Sequence, residues 1–200
     1  MGLFVSLAIF FSAVIIHEFS HALIAFKLGD STAQRMGRLT LNPLAHIDPF
    51  GTILLPLMLI LMNSPVLFGW AKPVPINFSN LKNPKRDMMW VGFAGPLANL
   101  LMAFCVSFLL KTGLGAQETW SALIHSCMVI NVVLAVFNLI PIPPLDGSRV
   151  LMSFLPGALA YRFAQLERYG FILLFALLYM GLFDKIVWPV AARILSFMTR

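Results

Sequence analysis

The chain has 200 residues, 60% of them hydrophobic and only 11% charged, with a mean hydropathy of +0.88; a soluble domain carries about 25% charged residues, so a soluble globular fold is excluded. The formal charge of +6 does not mark a nucleic-acid surface, because Lys and Arg are scattered through connecting segments, as at Lys82, Lys85 and Arg86, where they orient a protein in a bilayer and meet anionic lipid. At roughly 20 apolar residues per span, the length accommodates about four to six spans in a single domain.

The first apolar run, Leu3 to Leu28, is broken by polarity mainly at serines and at His17, Glu18 and His21, and is long enough to span. It lacks the positive n-region and small-residue cleavage site of a removable signal, and is expected to be a retained helix. Gly29 to Pro49 is polar and reads as an interfacial loop, with Arg38 to Leu41 compatible with a short strand. Phe50 to Met62 is apolar but short, carries Pro56 and ends at Asn63-Ser64-Pro65, so it is expected to re-enter the membrane rather than cross it. Phe68 to Asn77 alternates prolines with apolar residues and reads as extended backbone, either a β-like edge able to capture a peptide or an ordinary connector.

Met88 to Leu110 is a span with a small-residue face at Gly92, Gly95 and Ala98. Thr119 to Ile140 is another, ended by Pro141, Pro143 and Pro144. Phe171 to Phe183 adds a further helix that starts upstream near Tyr161, and Lys185 to Arg200 forms a last span or an interfacial helix. The expected fold is an all-α polytopic membrane protein of about five to six membrane-embedded helices, with a short interfacial β or extended element and a broken helix. Residues 1–155 form the core of one domain and 156–200 its C-terminal helices. Cys105 and Cys127 lie in apolar runs and do not suggest a disulfide scaffold.

His17-Glu18-Phe19-Ser20-His21 has the H-E-x-x-H pattern inside a helix. Residues four apart share a helix face, so both imidazoles can reach one zinc ion while Glu18 stands beside them as a base for water. Ionisable groups inside an apolar helix are expensive and mark function; the bland alternative is a His-Glu pair bonded to a neighbouring helix. A catalytic zinc usually takes three protein ligands and keeps an open position. The candidates for the third are His46, Asp48, His125 and Asp146, with Asp30 and Asp184 behind them. Asp146 stands out because it follows a proline-broken span, where freed backbone lines a cavity, although Asp-Gly-Ser is equally helix-capping chemistry.

Five segments together resemble the site-2 protease family of intramembrane zinc metalloproteases, in its compact branch without a PDZ domain. They are His17 to His21, Asn42 to Pro49, Gly69 to Asn77, Ala94 to Asn99 and Asn138 to Gly147. The resemblance implies one Zn2+ per chain held by His17, His21 and Asp146, with Glu18 as catalytic base. It implies that Asn138 helps to hold the substrate or the oxyanion, and that the partners are a transmembrane protein substrate and the lipid bilayer. No position of the site is substituted.

For His17, His21 and Asp146 to meet one ion, the first span and the Thr119 span should run in the same direction. Phe50 to Met62 is therefore expected not to make a simple full crossing, or else the broken segment carries Asp146 back to mid-membrane. Lys27, Arg35 and Arg38, against no Lys or Arg in residues 1–26, favour a metal site toward the cytoplasmic side of a prokaryotic cytoplasmic membrane. Two other functions compete. A metal transporter would distribute ionisable groups over several spans, and a non-catalytic scaffold with structural zinc would usually show four protein ligands.

Overall fold

The computed structural model describes residues 3–62 and 71–199; the expected turn at Asn63 to Pro65 and the Phe68 to Trp70 part of the extended segment lie outside them. The first helix, α1, runs Leu3–Lys27. Its serines do not break it, since Ser12 and Ser20 return their hydroxyls to the Ala8 and Ile16 carbonyls one turn back. It stops at Gly29, whose φ of +116° suits only a residue without a Cβ. There Asp30 N–H reaches Ala25 O at 2.9 Å and Gly29 N–H reaches Phe26 O at 3.1 Å, the paired bonds of a Schellman stop.

Asp30 then ties the next layer to this helix end. Fully buried, its carboxylate accepts from Thr32 N–H and hydroxyl, Asn77 N–H at 2.8 Å and the Asn80 amide at 2.9 Å. A short α2, Thr32–Arg35, and a 3-10 turn at Pro43–His46 lead to a π-helical turn, Pro49–Leu54, capped by Asp48, which accepts from Phe50 and Gly51 N–H. The turn continues into α3, Leu55–Leu61.

The central element is α4, Pro84–Ser107, which packs against α1, against α5 (Glu118–Asn138) and against α6 (Asp146–Phe154). Pro84 opens it at a position where a missing N–H costs nothing, and Asp87 accepts from Asn83 N–H at 2.8 Å. After α6 come α7 (Gly157–Ala164), α8 (Gly170–Tyr179) and α9 (Trp188–Met198). The main apolar core joins α4, α5 and the C-terminal helices through Ala103, Val132, Val136, Leu174, Val187 and Ala191. Large apolar side chains such as Leu101, Phe104 and Ile172 face outward, as a hydrocarbon solvent requires.

Among the described residues, three helices are long and apolar enough to cross a membrane, Val5–Lys27, Pro84–Lys111 and Glu118–Asn138, and a fourth span results if the bent pair Gly157–Tyr179 and Phe183–Met198 is counted as one. The expected five to six membrane-embedded helices are not confirmed as spans among the described residues, for two physical reasons. The π and α turns of Pro49–Leu61 extend about 20 Å at ~1.5 Å per residue, short of a ~30 Å hydrocarbon core. The C-terminal pair bends by 71° about Gly181, at φ +87°, instead of giving two straight spans. Among the described residues there is also no strand, neither at Arg38 to Leu41 nor in the segment 71–77. Pro73 and Pro75 have no N–H to give to a ladder, so this segment is extended but not paired as a sheet.

Candidate metal centre

The site is built where one face of α4 lies against the middle of α1. Val91, Gly95 and Asn99, each four residues from the last, meet His17 and His21. His21 Nδ1 is 2.6 Å from Val91 O, and His17 Nδ1 is 2.6 Å from Asn99 Oδ1. Between them Gly95 lets the helices approach, since a Cβ there would overlap Nε2 of both histidines. Both rings are buried, 4% and 5% exposed, and both turn Nε2 to the same place.

Asp146 comes to that place from the other side. The prolines end α5, and Gly147 folds the chain back so tightly that a Cβ would overlap the Leu139 and Ile140 carbonyls. Gly92 on α4 admits the Asp146 backbone, whose oxygen would lie 3.1 Å from a Cβ at that position. Asp146 is the first residue of α6, and the helix has no side-chain cap bond. Its Oδ2 instead lies 2.9 Å from His17 Nε2 and 3.2 Å from His21 Nε2. The capping alternative for Asp146 is thus set aside, and the broken segment does carry it back to mid-helix in α1.

This donor set fits zinc. Ligands on bonds of about 2.05 Å in a tetrahedron are about 3.3 Å apart, close to the separations from Asp146 Oδ2, and all three ligand atoms fall within 4.8 Å of one another. The side chain of Asp146 is 21% exposed, so the cluster is reachable from one side. His17, His21 and Asp146 could supply three protein ligands, the number of an open catalytic site rather than a closed structural one.

The other candidate ligands are engaged elsewhere. His46 points Nε2 at Thr40 O at 2.8 Å, Asp48 caps the π turn, Asp30 holds the 77–80 segment, and His125 and Asp184 are exposed. Asn138, at the end of α5, donates to Leu134 O on its own helix at 2.9 Å; none of its described contacts reaches the cluster. Glu18 is half-buried beside the histidines, and its Oε2 accepts the Val74 N–H at 2.8 Å. The segment carrying Val74 is itself held by Arg38, which donates to Lys72 O at 2.6 Å and Pro73 O at 3.3 Å. The functional partners that the sequence reading left unassigned are therefore Val91, Gly95, Asn99, Val74 and Arg38. Val91, Gly95 and Asn99 share a four-residue spacing along α4, and Gly95, Asn99 and Val74 fall in segments of the family resemblance, but no local signal ties any of them or Arg38 to the histidines or to Glu18.

The description "Peptidase family M50" matches residues 111–180, the stretch containing α5, the proline break and Asp146. Over 87% of its length the chain is 41% identical to "Putative zinc metalloprotease YwhC" of Bacillus subtilis, covering 80% of that protein. The chain belongs to peptidase family M50. A second relative, "Putative zinc metalloprotease Rip2" of Mycolicibacterium smegmatis, is 31% identical over 82% of the chain, which spans 62% of that protein. "Zinc metalloprotease MJ0392" of Methanocaldococcus jannaschii is 30% identical over 40% of the chain and 23% of its own length. No solved structure matches significantly. This M50 chain is a zinc metalloprotease with Zn2+ as its cofactor, and its apolar helices make it an integral membrane protein.

Proposed function

We propose that this M50 enzyme cuts peptide bonds within or near transmembrane segments of other membrane proteins, with His17, His21 and Asp146 holding one zinc and Glu18 as the base. The observation that carries this reading is the convergence of three ligand atoms from α1 and α6 within an apolar helix long enough to span a bilayer. A hydrolytic centre at that depth serves substrates that are themselves in the membrane.

Zinc, when bound, polarises the scissile carbonyl and acidifies water. The protein supplies the rest. Glu18 Oε2 is fixed by the Val74 N–H, which leaves the other carboxylate oxygen to take the proton of the attacking water and pass it to the leaving amine. Val91 and Asn99 orient the two imidazoles, and the packed α1–α4 face excludes bulk water from that side. Asn138 serves the substrate or oxyanion only if its amide leaves the Leu134 carbonyl. The basic residues Lys27, at the end of α1, and Arg35, after it, support a metal site toward the cytoplasmic side of the cytoplasmic membrane; Arg38, buried and bonded to the 72–73 carbonyls, adds nothing to that count.

The test is Glu18→Gln in the full chain, with cleavage of a co-expressed single-span reporter and bound zinc both measured. The variant is expected to retain zinc and lose cleavage by a factor of about 100 or more. Unimpaired cleavage would refute the assigned base.

A further inference from the structure

A histidine that offers Nε2 to an ion must carry its proton on Nδ1, and the group bonded to Nδ1 decides whether it does. For His21 the decision is local. Val91 O, 2.6 Å from Nδ1, can only accept, so Nδ1 is the N–H. His17 faces Asn99, a side chain with an acceptor at one end and a donor at the other. Its oxygen has to face the ring, and within α1 only the Ala13 carbonyl, which accepts one of the two Asn99 amide hydrogens, favours that orientation.

The other amide hydrogen is engaged from a third helix. Asn131 of α5 donates from Nδ2 to Cys127 O at 2.9 Å, with Cys127 Sγ at 3.6 Å. A carbonyl cannot donate, so the Asn131 amide nitrogen is committed to its own helix and Oδ1 is turned to α4. There it accepts from Asn99 Nδ2 at 2.8 Å. The same nitrogen donates to Ala13 O on α1 at 3.1 Å, which uses both amide hydrogens of Asn99 and leaves Oδ1 facing His17 Nδ1. Asn99 and Asn131 are 0% and 1% exposed. Reversing either amide would set oxygen against carbonyl oxygen where no water can relieve it.

We infer that Asn131 is a positioning residue for the metal centre, acting through Asn99 to hold His17 as the Nδ1–H tautomer with Nε2 free for the ion. It touches neither ion nor substrate. The inference rests on His17 being a zinc ligand, as proposed above. The competing role is interhelical adhesion alone, which buried asparagines also supply in membranes.

The test measures zinc affinity of the purified full chain in detergent by competition with a chromogenic chelator, in a double-mutant cycle. Asn99→Leu is expected to weaken zinc binding about 10- to 100-fold and Asn131→Leu about tenfold. The double variant should bind no more weakly than Asn99→Leu alone, because one residue works through the other. Should Asn131→Leu not fold, Asn131→Ser takes its place with the same expected loss: its hydroxyl still bonds the Cys127 carbonyl but is too short to reach Asn99. Additive losses, or a lowered melting temperature of the metal-free protein with zinc affinity unmoved, would overturn the inference in favour of adhesion. His17→Ala separates the two levels. Wild-type zinc affinity there defeats the ligand assignment itself, whereas zinc loss there beside an unaffected Asn131→Leu defeats only the relay.

Discussion

Gly95→Ala adds one methyl group to the face of α4 that meets the metal-site histidines. At that position a Cβ would lie 2.5 Å from His17 Nε2 and 2.6 Å from His17 Cε1, and closer still to His21 Nε2, where ordinary contact begins at 3.4 Å. Each imidazole must therefore retreat by nearly 1 Å. Metal–ligand distances tolerate about 0.2 Å, so relief of the overlap and retention of the site are incompatible. Overpacking of this kind costs roughly 1–3 kcal/mol of stability, which a helical membrane domain survives. The expected outcome is a folded protein whose zinc affinity falls at least ~100-fold, about 2.7 kcal/mol. Zinc content by elemental analysis after dialysis against a weak chelator, with circular dichroism for the fold, checks it. Gly92→Ala is a graded control, since its nearest neighbours lie at 3.1 and 3.2 Å, and Gly113→Ala, with nothing within 4 Å, is a silent one. If Gly95→Ala keeps stoichiometric, tightly held zinc, the convergence of Nε2 atoms at this point is not where the ion sits.

Three further outcomes follow from the same geometry. Asp146→Ala should abolish zinc retention while His46→Ala leaves it unchanged, read by the same elemental analysis; equal losses would mean that the third ligand has been misassigned. Burial alone would raise the pKa of Asp30, but bonds from Thr32, Asn80 and Asn77 outweigh it and hold the carboxyl below its usual value. Its stabilising contribution is thus complete above the unfolded pKa of about 3.9 and is lost as pH falls through the lower folded value; acid melts should show this loss in the wild type and a flattened slope in Asp30→Ala. Arg38→Met removes the donors to Lys72 O and Pro73 O, and is expected to lower cleavage of the single-span reporter severalfold with bound zinc unaffected. Protection of the 71–77 amides from hydrogen exchange should fall in that variant, and unchanged protection would count against Arg38 as the anchor.

The long apolar helices were legible because hydrocarbon leaves the backbone no other solution. His17 and His21 were legible because four-residue spacing is a local property of one helix. Asp146 could be singled out by the prolines before it, but its rival role as a cap could be dismissed only when Gly147 and Gly92 were seen to bring it against the histidines. What escaped was non-local. Gly92 and Gly95 read as packing residues in sequence, and only their juxtaposition with α1 and α6 gives Gly95 a chemical meaning. Asn131 in an apolar run carries no motif, since its partners Asn99 and Cys127 belong to two different contexts. The number of full crossings was not legible, because composition shows how apolar a stretch is and not that it bends at Gly181.

The bond between Glu18 and Val74 also limits how a guest peptide could lie along the 71–77 segment. Lys72 N–H is committed to His46 O, the Lys72 and Pro73 carbonyls to Arg38, and Val74 N–H to Glu18 Oε2. Pro73 and Pro75 bring no hydrogens of their own. Beyond Ala71 at its start, the groups of the segment without a described partner are the carbonyls of Val74, Pro75 and Ile76 and the Ile76 N–H, a docking edge barely three residues long. A chain aligned there would gain register from very few main-chain bonds, so discrimination among sequences must come chiefly from the shapes of its side chains and the ease with which its own helix opens.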